Sequence, residues 1–509
     1  MTPAAASGDT AERQVAGHLL GIDLGTTALK CLLLSPSGAI VGRSGVEMDV
    51  GQRSARRFEQ DPQAWWSALV RALEGLADQG FDLAQVTAIG LSAQTHGVVL
   101  CDAGGTPLRP CLTWADMRGS DEASALAQAH RDRLRWVAGN DPDPAFSAPK
   151  IAWLAAHEPD TLARAERVLL PKDVLRGWLT GRWGTDPSDA ASTLLFDLRA
   201  QAWDPVLAEA VGLDPALLPH VTGSSTVAGE VTAAAADATG LRAGTPVVTG
   251  GSDVACAALG AGVLDGDSVY MNVGTAAVIV APAPGPDAGA YYVFQHVVPG
   301  AFLRMVSVFG AGMSHAWFAG LATELSSPQR SLDEAFAELD RLAAGVEPGS
   351  DGLLFLPYLV GRGLPRPNPD ARGAFVGLTP SHQVAFAYRA LLEGVSFAIR
   401  AAVEALGAPP AGYRFGGGAR KSSVWTQVLA DVLGARLDVI DYDASPVGAA
   451  MLAGLGTGAF AGPAEAIDRC VHQDRQVLPS ESAVRDYDQA FDRFAAAVRQ
   501  LDPLFGPRG

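Results

Sequence analysis

Two aspartates stand where carboxylates can do chemistry. Asp23 lies in Gly21-Ile-Asp-Leu-Gly-Thr-Thr-Ala-Leu-Lys30, with apolar runs on both sides. A carboxylate at a strand end suits a hydrated divalent cation. Gly25 lets the backbone come close to a ligand. Successive N–H groups and the hydroxyls of Thr26 and Thr27 can then face a phosphate. An ordinary hairpin with a glycine turn reads the same way locally. Asp253 closes Gly250-Gly-Ser-Asp253, between a short apolar run (245–249) and a small-residue helical run (254–260). Aspartate there is a favoured helix N-cap. Equally, two glycines clear space before a carboxylate that can take a proton from a substrate hydroxyl.

Three further groups of residues fit such a site. Gln94, His96 and Asp116 fall in two loops that follow neighbouring apolar runs, where polar groups can hydrogen-bond a polyhydroxylated ligand. Taken singly, His96 reads as a structural residue, and Asp116 beside Arg118 as a solvated pair. Residues 268–280 repeat the opening pattern of strand, Gly-Thr turn and strand, with Gly274-Thr275 matching Gly25-Thr26. Two such hairpins, each opening one half of the chain, predict a duplicated domain whose turns face one cleft. Finally, Gly416-Gly-Gly-Ala-Arg420 joins a strand to a helix. This run admits a nucleotide against the backbone and sets a helix N-terminus at its phosphates. It lacks the P-loop pattern.

The elements that must position these residues are legible in outline. Asp61-Pro62 starts a helix whose apolar face carries Trp65, Leu69, Leu73 and Leu76. A buried strand over 86–91 leads into the Gln94–His96 loop. Helices are expected from Ser147, and over 171–180 with Gly181 as the stop. Trp153 and Trp178 are expected in the core. The segment 381–406 reads as one long helix with Leu391, Leu392, Val395, Phe397 and Ile399 inside. Ser445-Pro446 reads as the cap of a last helix.

Bulk properties narrow the class. The chain has 509 residues, 48% hydrophobic, enough for two or more domains with large cores. A net charge of −17 argues against nucleic acid and anionic membrane as main partners. The five cysteines form no CxxC pair and no zinc spacing, which fits a reduced, cytoplasmic protein. No stretch is apolar enough to span a bilayer. Residues 1–17 are expected to be a disordered leader, and the boundary between halves falls at 262/263. The sequence leaves the oligomeric state open between a monomer and a homodimer.

Taken in order, these pieces resemble the FGGY carbohydrate kinases, and within them the xylulokinases. The resemblance runs from about residue 18 to about 460. It rests on the Gly21–Thr27 stretch, Glu59-Gln-Asp-Pro-Gln-Ala-Trp-Trp66, Gln94-Thr-His-Gly97, Phe146-Ser-Ala-Pro-Lys-Ile-Ala-Trp153, Leu170-Pro-Lys-Asp173, Gly250-Gly-Ser-Asp253, Val273-Gly-Thr275, Gly373-Ala-Phe-Val-Gly-Leu-Thr379 and Gly416-Gly-Gly-Ala-Arg420. It implies an α/β fold of two actin-like (ribonuclease H-like) domains, sugar-binding at 18–262 and ATP-binding at 263–500, with a ligand cleft between them. The implied reaction moves the γ-phosphoryl group of ATP, with Mg2+, to a primary hydroxyl of a ketopentose, D-xylulose above others. Another ketose or a polyol is the alternative, as is a non-catalytic sensor.

In that resemblance Asp253 is the general base and Asp23 orients the hydrated metal. Thr95, His96, Trp114 and Asp116 line the sugar site. Gly25, Thr26, Thr27, Lys30, Gly274, Thr275, Gly416, Gly417 and Ala419 hold ATP. Four positions depart from the pattern: Thr95 for Met, Ala115 for Asn, Val254 for Asn, and Gly361-Arg-Gly-Leu-Pro365 for Gly-Glu-Arg-Thr-Pro.

Overall fold

The structure is a computed structural model that describes residues 17–266, 268–326, 331–407 and 410–506. Of the expected leader, residues 1–16 lie outside the described residues. Two mixed seven-stranded sheets dominate, one in each half of the chain.

The first sheet contains β1 (His18–Leu24), β2 (Ala28–Leu34) and β3 (Ile40–Glu47) as an antiparallel meander. Helix α1 (Pro62–Ala77) then returns the chain to β4 (Val86–Ala93), which pairs parallel with β1. After a long excursion come β5 (Val227–Glu230), β6 (Pro246–Val248) and β7 (Gly251–Ser252), and then α2 (Asp253–Gly260). The spatial order is β5-β6-β4-β1-β2-β3, with β7 also on β4.

The second half repeats this layout. Strands β8 (Tyr270–Val273), β9 (Ala277–Ala283), β10 (Tyr292–Gln295) and β11 (Phe302–Val308) precede the long helix α3 (Val384–Ala405). Next come β12 (Gly412–Gly416), α4 (Ser423–Leu433), β13 (Arg436–Val439), α5 (Ala444–Thr457), β14 (Arg475–Val477) and α6 (Glu481–Leu501). The order is β10-β11-β9-β8-β12-β13-β14. Without the added edge strands, both sheets read meander-strand three, two, one, then two parallel strands. The predicted duplication is therefore present in the topology.

Local chemistry explains several boundaries. Asp61 caps α1 by accepting the Gln63 N–H at 3.0 Å, with Pro62 at the first helical position. The helix Pro171–Thr180 stops at Gly181, which sits at φ 67°. Trp65, Leu69, Leu73 and Leu76 are buried, as are the five core residues expected on α3. Trp153 and Trp178 are half-buried instead of fully inside. Each has a polar neighbour: Trp153 lies under the Arg118 guanidinium, and the Trp178 N–H donates to the Gly105 carbonyl.

Two expectations about helix ends fail. Ser445 does not cap α5; that position is Asp443, and Ser445 lies in the first turn. Nor is α5 the last helix, because α6 follows with Ala483, Tyr487, Ala490 and Phe494 buried on one face.

Alternation along β1 sends Leu20, Ile22 and Leu24 to a core shared with α1. The opposite face packs on α5, an element of the other half. Glycines make that contact close. A Cβ at Gly21 would sit 1.9 Å from the Pro446 carbonyl oxygen, and one at Gly90 1.8 Å from that of Ala449. Helices α2 and α5 cross the same way, backbone to backbone, at Gly260 and Gly448. The five cysteines are free and buried. Among the described residues no helix is long and apolar enough to cross a membrane.

Candidate active site

The parallel register sets the first half of the site. Asp23 on β1 pairs with Ser92 on β4, and Ser92 with Gly251 on β7. Three adjacent strand ends therefore place Asp23, the residues after Ala93 and Asp253 along one edge. Asp23 is buried, and its Oδ1 accepts the Ser92 hydroxyl at 2.5 Å and the Ser445 hydroxyl at 2.9 Å. Burial raises its pKa, opposed by those hydroxyls and by Lys30. Lys30 itself pairs across the halves with Asp443 at 3.1 Å.

Asp253 is the first residue of α2, not its cap. Ser252 caps, accepting the Ala255 N–H at 3.3 Å. The competing capping role for Asp253 is thus filled by its neighbour, and Asp253 Oδ1 accepts the adjacent Val254 N–H at 2.8 Å. Burial first, and the Asp23 carboxylate second, push the Asp253 pKa up to about 7, against the lowering effect of the Val254 and Thr95 amides. Strand register, with Ser92 between Asp23 and Gly251, sets the two aspartates on the same edge of the sheet.

The turn after β1 is braced from below. Gly25 N–H donates to the Ala28 carbonyl at 3.0 Å. The Thr26 hydroxyl accepts the Trp114 indole N–H at 2.8 Å and donates to Gln94 Oε1 at 3.1 Å. Gln60 ties the Thr26 carbonyl to Gln94. Thr26 is therefore engaged within the protein, while Thr27 is exposed.

Thr95 and His96 follow β4 and are both buried. His96 holds a left-handed backbone at φ 64°, a strained conformation for a residue with a side chain. Its Nδ1 donates to the Ser192 carbonyl at 2.7 Å, since a carbonyl only accepts. Burial lowers its pKa to about 3, so the ring is neutral and Nε2 keeps a lone pair. Phe146 packs on the ring with centroids 4.5 Å apart.

Trp114 is 39% exposed, but Asp116 is fully buried. Its carboxylate accepts the Phe58 N–H at 2.9 Å and pairs with Arg118 at 2.9 Å, which also reaches Glu59. The solvated-pair reading of Asp116 and Arg118 is thus incorrect: the strand carrying Phe58 and Glu59 packs on the pair, and Trp153 lies against the guanidinium. In this arrangement Asp116 shapes the Trp114 loop from within and exposes no surface of its own.

The second half of the site mirrors the first. Gly312 N–H and Met313 N–H, at the start of the helix Ala311–Ser326, donate to the carbonyls of Gly274 and Thr275 at 2.9 and 3.1 Å. Thr275 is left exposed. Register pairs Asn272 with Gly416 across β8 and β12. Gly417 sits at φ 88°, and a Cβ there would lie 2.5 Å from the Val273 carbonyl oxygen. The glycine run and the Gly274-Thr275 turn are therefore neighbours, with Ala419 buried behind them.

The expected helix N-terminus is displaced. A 3-10 turn, Gly418–Lys421, intervenes, and Ser422 caps α4 by accepting the Trp425 N–H at 3.0 Å. Topologically Asn272 occupies the place of Asp23, so the carboxylate belongs to the first half alone. The departing loop 361–365 roofs a cavity of about 530 Å³ against α3 and α6, with Phe491 and Phe494 in its wall.

Sequence reasoning missed Ser92, Ser445 and the Gly310-Ala-Gly312 corner. The glycine pair at 310 and 312 was a usable local signal; nothing local points Ser445 at Asp23.

Comparison with known proteins agrees with this geometry. Residues 18–260 match the N-terminal domain, and residues 269–457 the C-terminal domain, of the FGGY family of carbohydrate kinases. The chain is 35% identical to the xylulose kinase of Escherichia coli (strain K12), over 95% of this chain and 99% of that one. A xyloylose kinase from Brucella ovis superposes with a TM-score of 0.86 at 32% identity, covering 96% of this chain and all of that one. The xylulose kinase from Rhodospirillum rubrum gives 0.85 at 29% identity, covering 96% and 99%. Duplicated sheets, paired glycine turns and matches across both halves together make this chain a member of the FGGY family of carbohydrate kinases.

Proposed function

We propose that the protein transfers the γ-phosphoryl group of ATP to a primary hydroxyl of a ketopentose, D-xylulose first, giving D-xylulose 5-phosphate. The observation that carries this reading is Asp253: a carboxylate relieved of capping by Ser252 and held close to neutral pKa beside Asp23. A base with a pKa near the working pH is well matched to accepting a hydroxyl proton.

In this reading Asp253 takes the proton as the sugar oxygen attacks. Thr95, neutral His96 through Nε2, and the Trp114 face orient the sugar, with Asp116 supporting that loop. Backbone groups at Gly25, Thr26 and Thr27 and at Gly274 and Thr275 bracket the phosphates, with Lys30 beside them. Gly416, Gly417 and Ala419 admit the adenosine. Catalysis is then mostly positioning and charge stabilisation.

Asp23 suits a hydrated Mg2+. Its Oδ1 accepts the Ser92 and Ser445 hydroxyls, which would leave Oδ2 for a metal-bound water. When bound, the ion would neutralise charge developing on the phosphoryl oxygens.

The boundary between sugar and nucleotide domains is placed at 262/263. The buried, unpaired cysteines support a cytoplasmic setting. A homodimer is the assembly to test against a monomer.

The test is a panel of ketopentoses and pentitols with coupled ADP detection. D-Xylulose should give the highest kcat/KM. A higher value for a pentitol or another ketose would move the substrate, and binding without transfer across the panel would favour a sensor.

A further inference from the structure

Behind the Gly250–Asp253 turn lies a group of ions with almost no access to water. Lys172, Asp173 and Asp186 are fully buried. Lys172 Nζ stands 2.7 Å from Asp173 Oδ1 and 3.4 Å from Asp186 Oδ1. On its other oxygen, Asp186 accepts the Ser188 hydroxyl at 2.6 Å and the Ser224 hydroxyl at 2.7 Å. Ser188 Oγ in turn accepts the backbone N–H of Ser252 at 2.9 Å. Polar contacts converging on Asp186 thus link a buried ammonium to the Gly251–Ser252 peptide, one residue before Asp253.

The same short segment also carries His96, through the Ser192 carbonyl. The turn is tightly enclosed: a Cβ at Gly250 would meet the Leu91 carbonyl oxygen at 2.2 Å and Lys172 Cδ at 3.0 Å, and one at Gly251 would meet Val297 Cγ1 at 2.3 Å and Ser188 Oγ at 3.1 Å. Both glycines answer to what lies around the turn as much as to a ligand before it.

We propose that Ser188, anchored by the buried Lys172–Asp186 pair, is a positioning residue for phosphoryl transfer that fixes the Ser252 peptide and so the stance of Asp253 relative to His96. This rests on the reading of Asp253 as the base. Burying such ions contributes little net stability, which leaves geometry as their use. Small displacements of a reacting group lower rates about 100-fold.

Ser188 and Ser224 supply a matched pair. Ser188→Ala and Ser224→Ala each delete one hydroxyl from the same Asp186 oxygen, but only Ser188 touches Ser252. In Ser188→Ala, kcat for sugar phosphorylation should fall about 10- to 100-fold. The dissociation constants for sugar and ATP, by calorimetry, should stay within about twofold. Ser224→Ala should keep kcat within about threefold of the parent. If Ser188→Ala does not fold, Ser188→Cys fills the same space with a weak hydrogen-bonding group and gives the same reading. Equal kcat in the Ser188 and Ser224 variants, with only their melting temperatures lowered, would overturn the inference. Full activity in Asp253→Ala would instead remove the base reading on which it rests.

Discussion

Asp253 is held near neutrality by burial and by Asp23, and both consequences can be measured. A base must be unprotonated to act, so kcat/KM should fall about tenfold per pH unit below an apparent pKa near 7. A flat profile down to pH 5 would contradict this. The stability consequence has a definite sign. A raised carboxylate pKa means the folded state keeps a proton that the unfolded chain has lost. The folded state is therefore penalised progressively as pH rises from about 4 through 7. Asp253→Asn should stabilise the protein by about 1 kcal/mol at pH 8 and much less at pH 5, by denaturant titration at both. A gain independent of pH would show that shape, not charge, is responsible. At this scale the sequence was legible wherever chemistry is local. Asp253 could be read as a cap or as a base from its own surroundings, and the structure gives the cap to Ser252. Asp116 was not legible, because its partners Phe58 and Glu59, and the Trp153 that covers Arg118, are remote in sequence.

Among the elements, α5 does most to assemble the site. It belongs to the second half, lies on glycines of the first, and delivers Ser445 to Asp23 and Asp443 to Lys30. Gly90→Ala should destabilise by about 2–4 kcal/mol, since the added Cβ would be driven into the Ala449 carbonyl. Gly320→Ala, on a helix with nothing within 4 Å of the new carbon, should instead stabilise by about 0.5–1 kcal/mol. Equal effects in chemical denaturation would argue that α5 does not sit as described. The starts and stops of α1 and of the helix Pro171–Thr180 could be read from Asp61-Pro62 and Gly181. The role of Ser445 could not, because Ser-Pro beside a helix reads as a cap until α5 is docked on the other sheet. Helix α6 did have a signal, in the spacing of Ala483, Tyr487, Ala490 and Phe494.

At the scale of the whole molecule, the two Gly-Thr hairpins forecast the duplication, and the repeated sheet order bears it out. One carboxylate breaks the symmetry: Asp23 in the first half, Asn272 in the second. The halves also meet through Lys30 and Asp443, whose side chains are 40% and 51% exposed. Such a pair contributes at most about 1 kcal/mol. Lys30→Met should therefore leave the melting temperature nearly unchanged while raising the KM for ATP about tenfold, because Lys30 stands beside the proposed phosphate turn. A lowered melting temperature with unchanged KM would reverse that assignment. The most direct test of the central claim is single-turnover phosphorylation of D-xylulose by Asp253→Ala, with ATP and sugar binding followed on the same sample. The expected result is intact binding with the transfer rate reduced about 1,000-fold or more. Transfer at the parent rate would show that another group takes the hydroxyl proton.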